Sequence, residues 1–227
     1  MSRILTIGDI HGCRTALETL LEAVDVEEDD TLITLGDYVD RGPDSRGVID
    51  CLLRLQTSCE TVYLRGNHEV GMLAAATEAD FASQWLSPVW GGGKTMASYG
   101  TADFAEIPKE HWQFLKATKL YHETDRHIFV HASLEAERVL EEQKEEVLLW
   151  ERFGRPRAHH SGKVRICGHT AQMSGRPLSY GHAICIDTHV YGKGWLTCLE
   201  VESGKYWQAN EDGDVREGLL ELTRAKA

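Results

Sequence analysis

The chain has 227 residues, 42% hydrophobic and 26% charged, with 21 glycines against 5 prolines. That balance excludes disordered, collagen-like and mucin-like chains, and the length accommodates one sizeable core. Lys and Arg number 24 against 36 Asp and Glu, a net charge of −12. Such a field disfavours broad binding to duplex nucleic acid or an anionic membrane, so a phosphate-bearing substrate requires a locally positive site.

Met1-Ser2-Arg3 leads at once into a short apolar run and Gly8-Asp9, too short for the core of a signal peptide. No other apolar run approaches the ~18 residues of a membrane span. The expectation is a soluble, cytoplasmic protein. Six cysteines are scattered without a C-x-x-C pair, so neither a zinc knuckle nor a redox motif is written here.

Taken in chain order, residues 4–7, 31–35 and 61–64 are short, apolar and β-branched, as strands covered on both faces should be. Between them Leu17, Leu20, Leu21 and Val24, then Val48, Leu52 and Leu55, repeat along one helical face. This β-α-β-α-β alternation predicts parallel strands joined by helices. Residues 70–118 lose the strand signal and read as a small helical insertion, a cap or flank. Strands return at 121–123, 128–130, 164–167 and 183–186. The acidic, Leu-spaced stretch Leu134–Trp150 reads as a helix, and Trp195–Val201 with Lys205–Gln208 as a hairpin. With no repeat or low-complexity linker, residues 1–227 are expected to form one domain.

A recurrence carries the chemistry. Six times an apolar strand ends in a break followed by polar, metal-competent residues: Gly8-Asp9 with His11; Gly36-Asp37 with Asp40 and Arg41; Gly66-Asn67 with His68; His131; Gly168-His169; and Asp187 with His189. Groups at the carboxyl ends of strands in α/β proteins converge on one crevice. Carboxylate, imidazole and amide oxygen suit Mn, Fe or Zn, and no thiolate takes part. The donors exceed what one four-coordinate ion takes, so two ions fit better; such a pair supplies a nucleophile near neutral pH and clamps a phosphoryl group. Arg41 offers a guanidinium fork for phosphate oxygens.

Gly8-Asp9-Ile10-His11-Gly12, Gly36-Asp37-Tyr38-Val39-Asp40-Arg41-Gly42 and Gly66-Asn67-His68-Glu69 closely resemble the three signatures of the phosphoprotein phosphatases, within the calcineurin-like metallophosphoesterases. Val130-His131-Ala132 and Gly168-His169-Thr170 resemble the two later histidine motifs, so the likeness spans roughly residues 4–190. The resemblance implies an α/β fold of mixed β-sheets packed as a β-sandwich and flanked by helices. It implies that Asp9 and His11 hold one metal, that Asp37 bridges to the second, and that Asn67, His131 and His169 complete the second. His68 resembles the general acid that protonates the leaving alkoxide, with Asp40 fixing and charging its imidazole. Arg41 resembles a phosphate clamp, and Arg152 a second clamp found in phage-type enzymes; Asn67 also falls within substrate reach. The implied reaction is in-line attack of metal-bound hydroxide on phosphorus, with no phosphoenzyme. Manganese is the expected metal pair, with iron or zinc as alternatives.

Other readings stand beside these. A surface ion pair competes for Arg152, support of a ligand is the expected role of Asp187 and His189, and His159 and His160 read as solvated. Gly91-Gly92-Gly93-Lys94-Thr95 is not a P-loop, because Pro88 stands where its first glycine belongs; it reads as a rim or a tight helix turn. Trp85, Trp90, Trp112, Phe81 and Tyr99 read as core rather than a stacking platform. The expected function is a bacterial-type serine/threonine protein phosphatase acting on phosphorylated protein or a small phosphoester. The alternatives are a symmetrical dinucleoside tetraphosphate hydrolase and a non-catalytic binding module; the latter predicts a missing ligand or a missing His68, and none is missing. Oligomeric state is left open by the sequence.

Overall fold

The computed structural model describes residues 2–221. Its first half alternates as the periodicity predicts: β1 (Ile4–Ile7), α1 (Arg14–Val24), β2 (Thr31–Thr34), α2 (Ser45–Leu55) and β3 (Glu60–Tyr63). The three strands pair in parallel, with Ile4 opposite Thr31 and Thr31 opposite Glu60. Leu17, Leu20 and Val24 of α1 and Val48 and Leu52 of α2 are buried in one core with Leu5 and Ile7 of β1. Asp44 caps α2, its carboxylate accepting from the Gly47 amide at 2.8 Å.

Four helices follow, α3 (Asn67–Ala75), α4 (Ala79–Trp85), α5 (Gly92–Tyr99) and α6 (Lys109–Ala117). They are the helical insertion expected between residues 70 and 118. Then come β4 (Tyr121–Glu123), β5 (His127–Val130), α7 (Glu145–Trp150), β6 (Val164–Cys167), β7 (Leu178–Ser179), β8 (Ala183–Cys185), β9 (Leu196–Glu200), β10 (Lys205–Ala209) and β11 (Val215–Leu219). Among the described residues no helix is long and apolar enough to cross a membrane.

The strands form two mixed sheets, ordered β11-β10-β9-β1-β2-β3 and β4-β5-β6-β8-β7. A second core lies between them, in which Ile33, Leu35, Val62 and Leu64 meet Phe129, Ile166, Ile184 and Ile186, all buried. Each such side chain contributes about 1.5–3 kcal/mol by leaving water. One face of the first sheet is thus covered by α1 and α2 and the other by the second sheet. This explains why β1 and β2 read as near-continuous apolar runs. The predicted hairpin is β9–β10, and β9 docks antiparallel on β1.

Two expectations fail. Leu134–Trp150 is not one helix: only a 3₁₀ turn at Leu140–Glu142 and α7 are helical. Leu134, Leu140 and Leu148 do enter the core over the second sheet, so the leucine pattern reports burial, while the chain between them is mostly irregular. The loop is closed instead by Gln143, whose side chain accepts from the Glu135 amide at 2.7 Å and donates to the Glu135 and Arg138 carbonyls. His159 is not solvated either. It is buried, with its ring between Ser161 Oγ at 2.8 Å and the Arg138 carbonyl at 2.9 Å; His160 is exposed, as expected. β7 and β11 had no counterpart in the sequence reading, since two residues are too few for a pattern and Val215–Leu219 is largely exposed.

Candidate active site

The loops leaving β1, β2, β3, β5, β6 and β8 carry Asp9, Asp37, Asn67, His131, His169 and Asp187, and the two sheets bring them to one edge of the sandwich. Asp37 is the centre. Its Oδ2 lies 3.4 Å from His11 Nε2 and its Oδ1 lies 3.5 Å from His131 Nε2. Asn67 Oδ1 is 2.9 Å from His131 Nε2 and 3.0 Å from His169 Nδ1, and those two nitrogens are 3.2 Å apart. Two overlapping groups result, Asp37 with His11 and His68, and Asp37 with His131 and His169, each with donor atoms within 4.8 Å of one another.

The donor set fits metal ions for a reason visible beyond the ligand atoms. Each of the three histidines outside the His68 pair has its other ring nitrogen against a backbone carbonyl: His11 Nδ1 on Val39 at 3.0 Å, His131 Nδ1 on Leu35 at 2.9 Å and His169 Nε2 on Trp150 at 3.2 Å. A carbonyl only accepts, so those nitrogens carry the protons and the inward nitrogens present lone pairs. Burial pushes all three imidazoles below their ordinary value, His169 to about 4, which keeps them neutral. Burial and the neighbouring charges of Asp187 and Asp37 push Asp9 up. Such crowding of carboxylates is what a cation relieves.

Asp9 stands slightly apart. Its carboxylate accepts from the His169 amide at 2.9 Å through Oδ2 and 3.1 Å through Oδ1, tying the β1 loop to the β6 loop. Gly168 is what lets it approach: a Cβ there would lie 1.9 Å from Asp9 Oδ1. The backbone itself is bent to the task. His11, Asp37, Asp40, Arg41, His169 and His189 all have φ between 47° and 72°, a conformation uncommon for residues with a Cβ and concentrated here at one edge of the sheets.

His68 is the second residue of α3 and its Nδ1 is 2.7 Å from Asp40 Oδ2. Burial pushes the imidazole down, but the charge of Asp37 and the Asp40 hydrogen bond outweigh it, so His68 is raised above its ordinary value. The helical insertion holds Asp40 in turn. Trp85 Nε1 donates to Oδ2 at 3.0 Å, Thr95 Oγ1 donates to Oδ1 at 2.7 Å, and the Asp40 amide donates to Thr95 Oγ1 at 2.8 Å. The triple glycine serves this packing. Gly91 has a φ of 92° and a Cβ there would fall 2.6 Å from the Arg41 amide nitrogen. It is the tight helix turn expected, and α5 starts from it.

Arg41 reaches His11 Nε2 at 3.2 Å and lies over the Tyr191 ring at 4.7 Å. With Tyr191, Leu86, Pro88, Val89 and Lys94 it lines an open cavity of about 660 Å³ beside the candidate metal donors. Arg152 is exposed, two residues beyond Trp150, whose carbonyl holds His169, and among the described residues it makes no ion pair. Asp187 is buried and accepts from the His189 amide at 3.0 Å, while the His189 ring packs edge-on to Tyr191.

The sequence reading missed the role of Glu69. Its two oxygens accept from the amides of Asp37, Tyr38 and Gly66 at 2.7–2.8 Å, pinning the β2 and β3 loops together. Its place three residues after Gly66, at a helix start, was the available signal. Trp85 and Thr95 were also missed as holders of Asp40, because sequence does not say that α4 and α5 fold back over the β2 loop. Trp90 packs edge-on against His68 and Trp150 against Trp90, so part of the aromatic set taken as core forms a wall of the site.

Residues 2–183 match the calcineurin-like phosphoesterase family. The chain is 30% identical over 207 residues to serine/threonine-protein phosphatase 1 of Salmonella typhimurium, covering 88% of this chain and 92% of that protein. It is 46% identical over 71 residues to a symmetrical bis(5'-nucleosyl)-tetraphosphatase of Delftia acidovorans, covering 31% of this chain and a quarter of that protein's length (25%). Among solved structures, the cold-active protein-tyrosine phosphatase of a Shewanella species superposes with a TM-score of 0.69 at 16% identity, covering 96% of this chain and 80% of that one. The histidine and carboxylate donors thus sit in a known frame, and the chain belongs to the calcineurin-like phosphoesterases.

Proposed function

We propose that this metallophosphoesterase is a serine/threonine protein phosphatase, and that the buried His68–Asp40 pair beside the metal donors carries the reading. Asp9, His11 and Asp37 would hold one divalent ion and Asp37, Asn67, His131 and His169 the other. When bound, such a pair supplies Lewis-acid charge for the phosphoryl oxygens and a water acidic enough to attack at neutral pH. Manganese fits the oxygen and imidazole donors, as do iron and zinc.

The chain's own residues do the rest. Arg41 presents a guanidinium to the phosphoryl oxygens and orients the ester; Arg152 stands at the outer rim as a second cation. His68 delivers a proton to the departing alkoxide from Nε2, while Asp40 holds Nδ1 and stabilises the protonated ring. A serine or threonine alkoxide is strongly basic, so that proton matters more than for an aryl ester. Likeness along most of both chains to a serine/threonine phosphatase supports this choice.

A second reading, a symmetrical dinucleoside tetraphosphate hydrolase, is favoured by the cavity beside Arg41. It has a second cation in Lys94 and an aromatic face in Tyr191, which suit a polyphosphate chain and a base. Parallel assays on a phosphoserine peptide and diadenosine tetraphosphate, with manganese and with chelator, decide between them. A higher kcat/KM on the peptide is expected; a higher value on the dinucleotide overturns the first reading.

A further inference from the structure

A second cavity, of about 400 Å³, opens on the outer side of the second sheet, between the loop after β5 and the segment after α7. Its floor is Arg165 of β6, which is 4% exposed. A buried guanidinium costs several kcal/mol unless a counter-charge meets it, and this one has none: among the described residues Arg165 makes no ion pair. Its Nη1 donates to Ser133 Oγ at 3.0 Å and its plane lies over the Phe153 ring at 5.3 Å. Its Nε is buried with no hydrogen-bond partner.

The walls carry charge of both signs, Arg138, Arg155 and Arg157 against Glu135, Glu137 and Glu151. Arg138 and Arg157 are spoken for by Glu135 and Glu137. Arg155 lines the cavity and has no such partner among the described residues, whereas Glu151 reaches only Ser133 Oγ, at 3.4 Å. In a chain of net charge −12 the lining still sets four arginines against three glutamates, around an unmet buried donor. The cavity is separate from the metal donors, and none of its residues has a part in the catalytic proposal.

We propose that this cavity binds a phosphate group, anchored by Arg165 with Ser133 and Arg155 completing the cradle. A tetrahedral dianion matches two guanidinium forks better than a single carboxylate does, and the Ser133 hydroxyl, which donates to Glu151 Oε1 at 3.4 Å here, has to turn its proton to the anion. The group could come as free inorganic phosphate or on a small phosphorylated molecule.

The test is calorimetric titration of the full-length protein with inorganic phosphate and, separately, glycerol 3-phosphate, first metal-loaded and then with chelator to clear the catalytic site. Binding of either probe that persists in chelator is expected, weakened about tenfold or more in Arg165→Gln by loss of charged hydrogen bonds. Arg41→Ala should leave that binding unchanged. Circular dichroism checks the fold of Arg165→Gln; should it fail to fold, Ser133→Ala and the surface change Arg155→Ala carry the test, each weakening binding severalfold. No binding of either probe in chelator, or binding abolished by Arg41→Ala and indifferent to changes at 133, 155 and 165, overturns the proposal.

Discussion

Trp85 donates its indole N–H to the same Asp40 oxygen that holds His68, at 3.0 Å against 2.7 Å. Trp85 is wholly buried on α4, within the insertion, so a core residue of one element sets the charge environment of an imidazole on another. Trp85→Phe keeps an aromatic ring, deletes the donor and leaves unfilled the space of the indole's second ring. A hydrogen bond to a charged group is worth about 1.5–3 kcal/mol, so chemical denaturation should show a loss of that order. The mispositioned carboxylate should also lower kcat more than it changes KM. Unchanged kcat on an alkyl phosphate would separate Trp85 from the His68–Asp40 pair.

The role given to His68 makes a prediction of its own. With the proton donor removed in His68→Ala, alkyl esters should slow by about 10²–10⁴-fold and activated aryl esters by much less, because an aryloxide departs without protonation. Comparing kcat/KM on phosphoserine peptide and 4-nitrophenyl phosphate checks this. Equal losses would point to His68 as a positioning or ligand group, a role its 4.8 Å grouping with His11 and Asp37 makes concrete.

Much of this site was legible from sequence because its chemistry hangs on strand ends, and apolar β-branched runs locate strand ends well. Asp9, Asp37, Asn67, His131 and His169 each follow such a run directly, so their convergence at one edge was readable. What was not readable is how non-repeating segments fold back. The Leu134–Trp150 stretch misled because a loop laid over a sheet buries leucines at irregular intervals. Trp85 and Thr95 were invisible as organisers because their partner, Asp40, lies on another element, and the local capping signal of Glu69 does not reveal its reach to the amides of Asp37 and Tyr38. His159 belongs with these, since its burial depends on a carbonyl 21 residues away.

Asp37 belongs to both donor groups, whereas His169 belongs to one. Elemental analysis after dialysis should therefore separate them. The protein should retain two divalent ions per chain, His169→Ala should lose chiefly one, and Asp37→Asn should lose affinity for both. Loss of one ion only in Asp37→Asn would mean that Asp37 does not bridge.

Gly168 offers a steric test of the same centre that removes no donor. In Gly168→Ala the new methyl carbon would fall 1.9 Å from Asp9 Oδ1, so either the carboxylate leaves the His169 amide or the loop after β6 moves. Overpacking of this kind costs about 1–3 kcal/mol. A lowered thermal midpoint together with weaker metal retention is expected; normal metal content would show that Asp9 can reach its ion without the His169 contact.

A last prediction concerns stability away from the site. Arg3 Nε donates to Asp30 Oδ1 at 3.0 Å, and the Glu27 amide donates to Asp30 Oδ2 at 2.9 Å, closing the turn between α1 and β2. Burial alone would push Asp30 up, but the Arg3 and Glu27 hydrogen bonds outweigh it, so the carboxyl lies below its ordinary value near 3.8. A carboxyl held lower when folded than when unfolded releases its proton more readily in the native state. Its stabilisation is therefore complete above the ordinary value and fades as pH falls through the folded one. The Asp30 side chain is buried and that of Arg3 partly so, so Asp30→Asn should cost about 1–3 kcal/mol at pH 7. The gap between the two proteins in urea denaturation should narrow as pH drops below 3.8. A gap that stays constant through the acid range would assign the loss to packing rather than to the charge of Asp30.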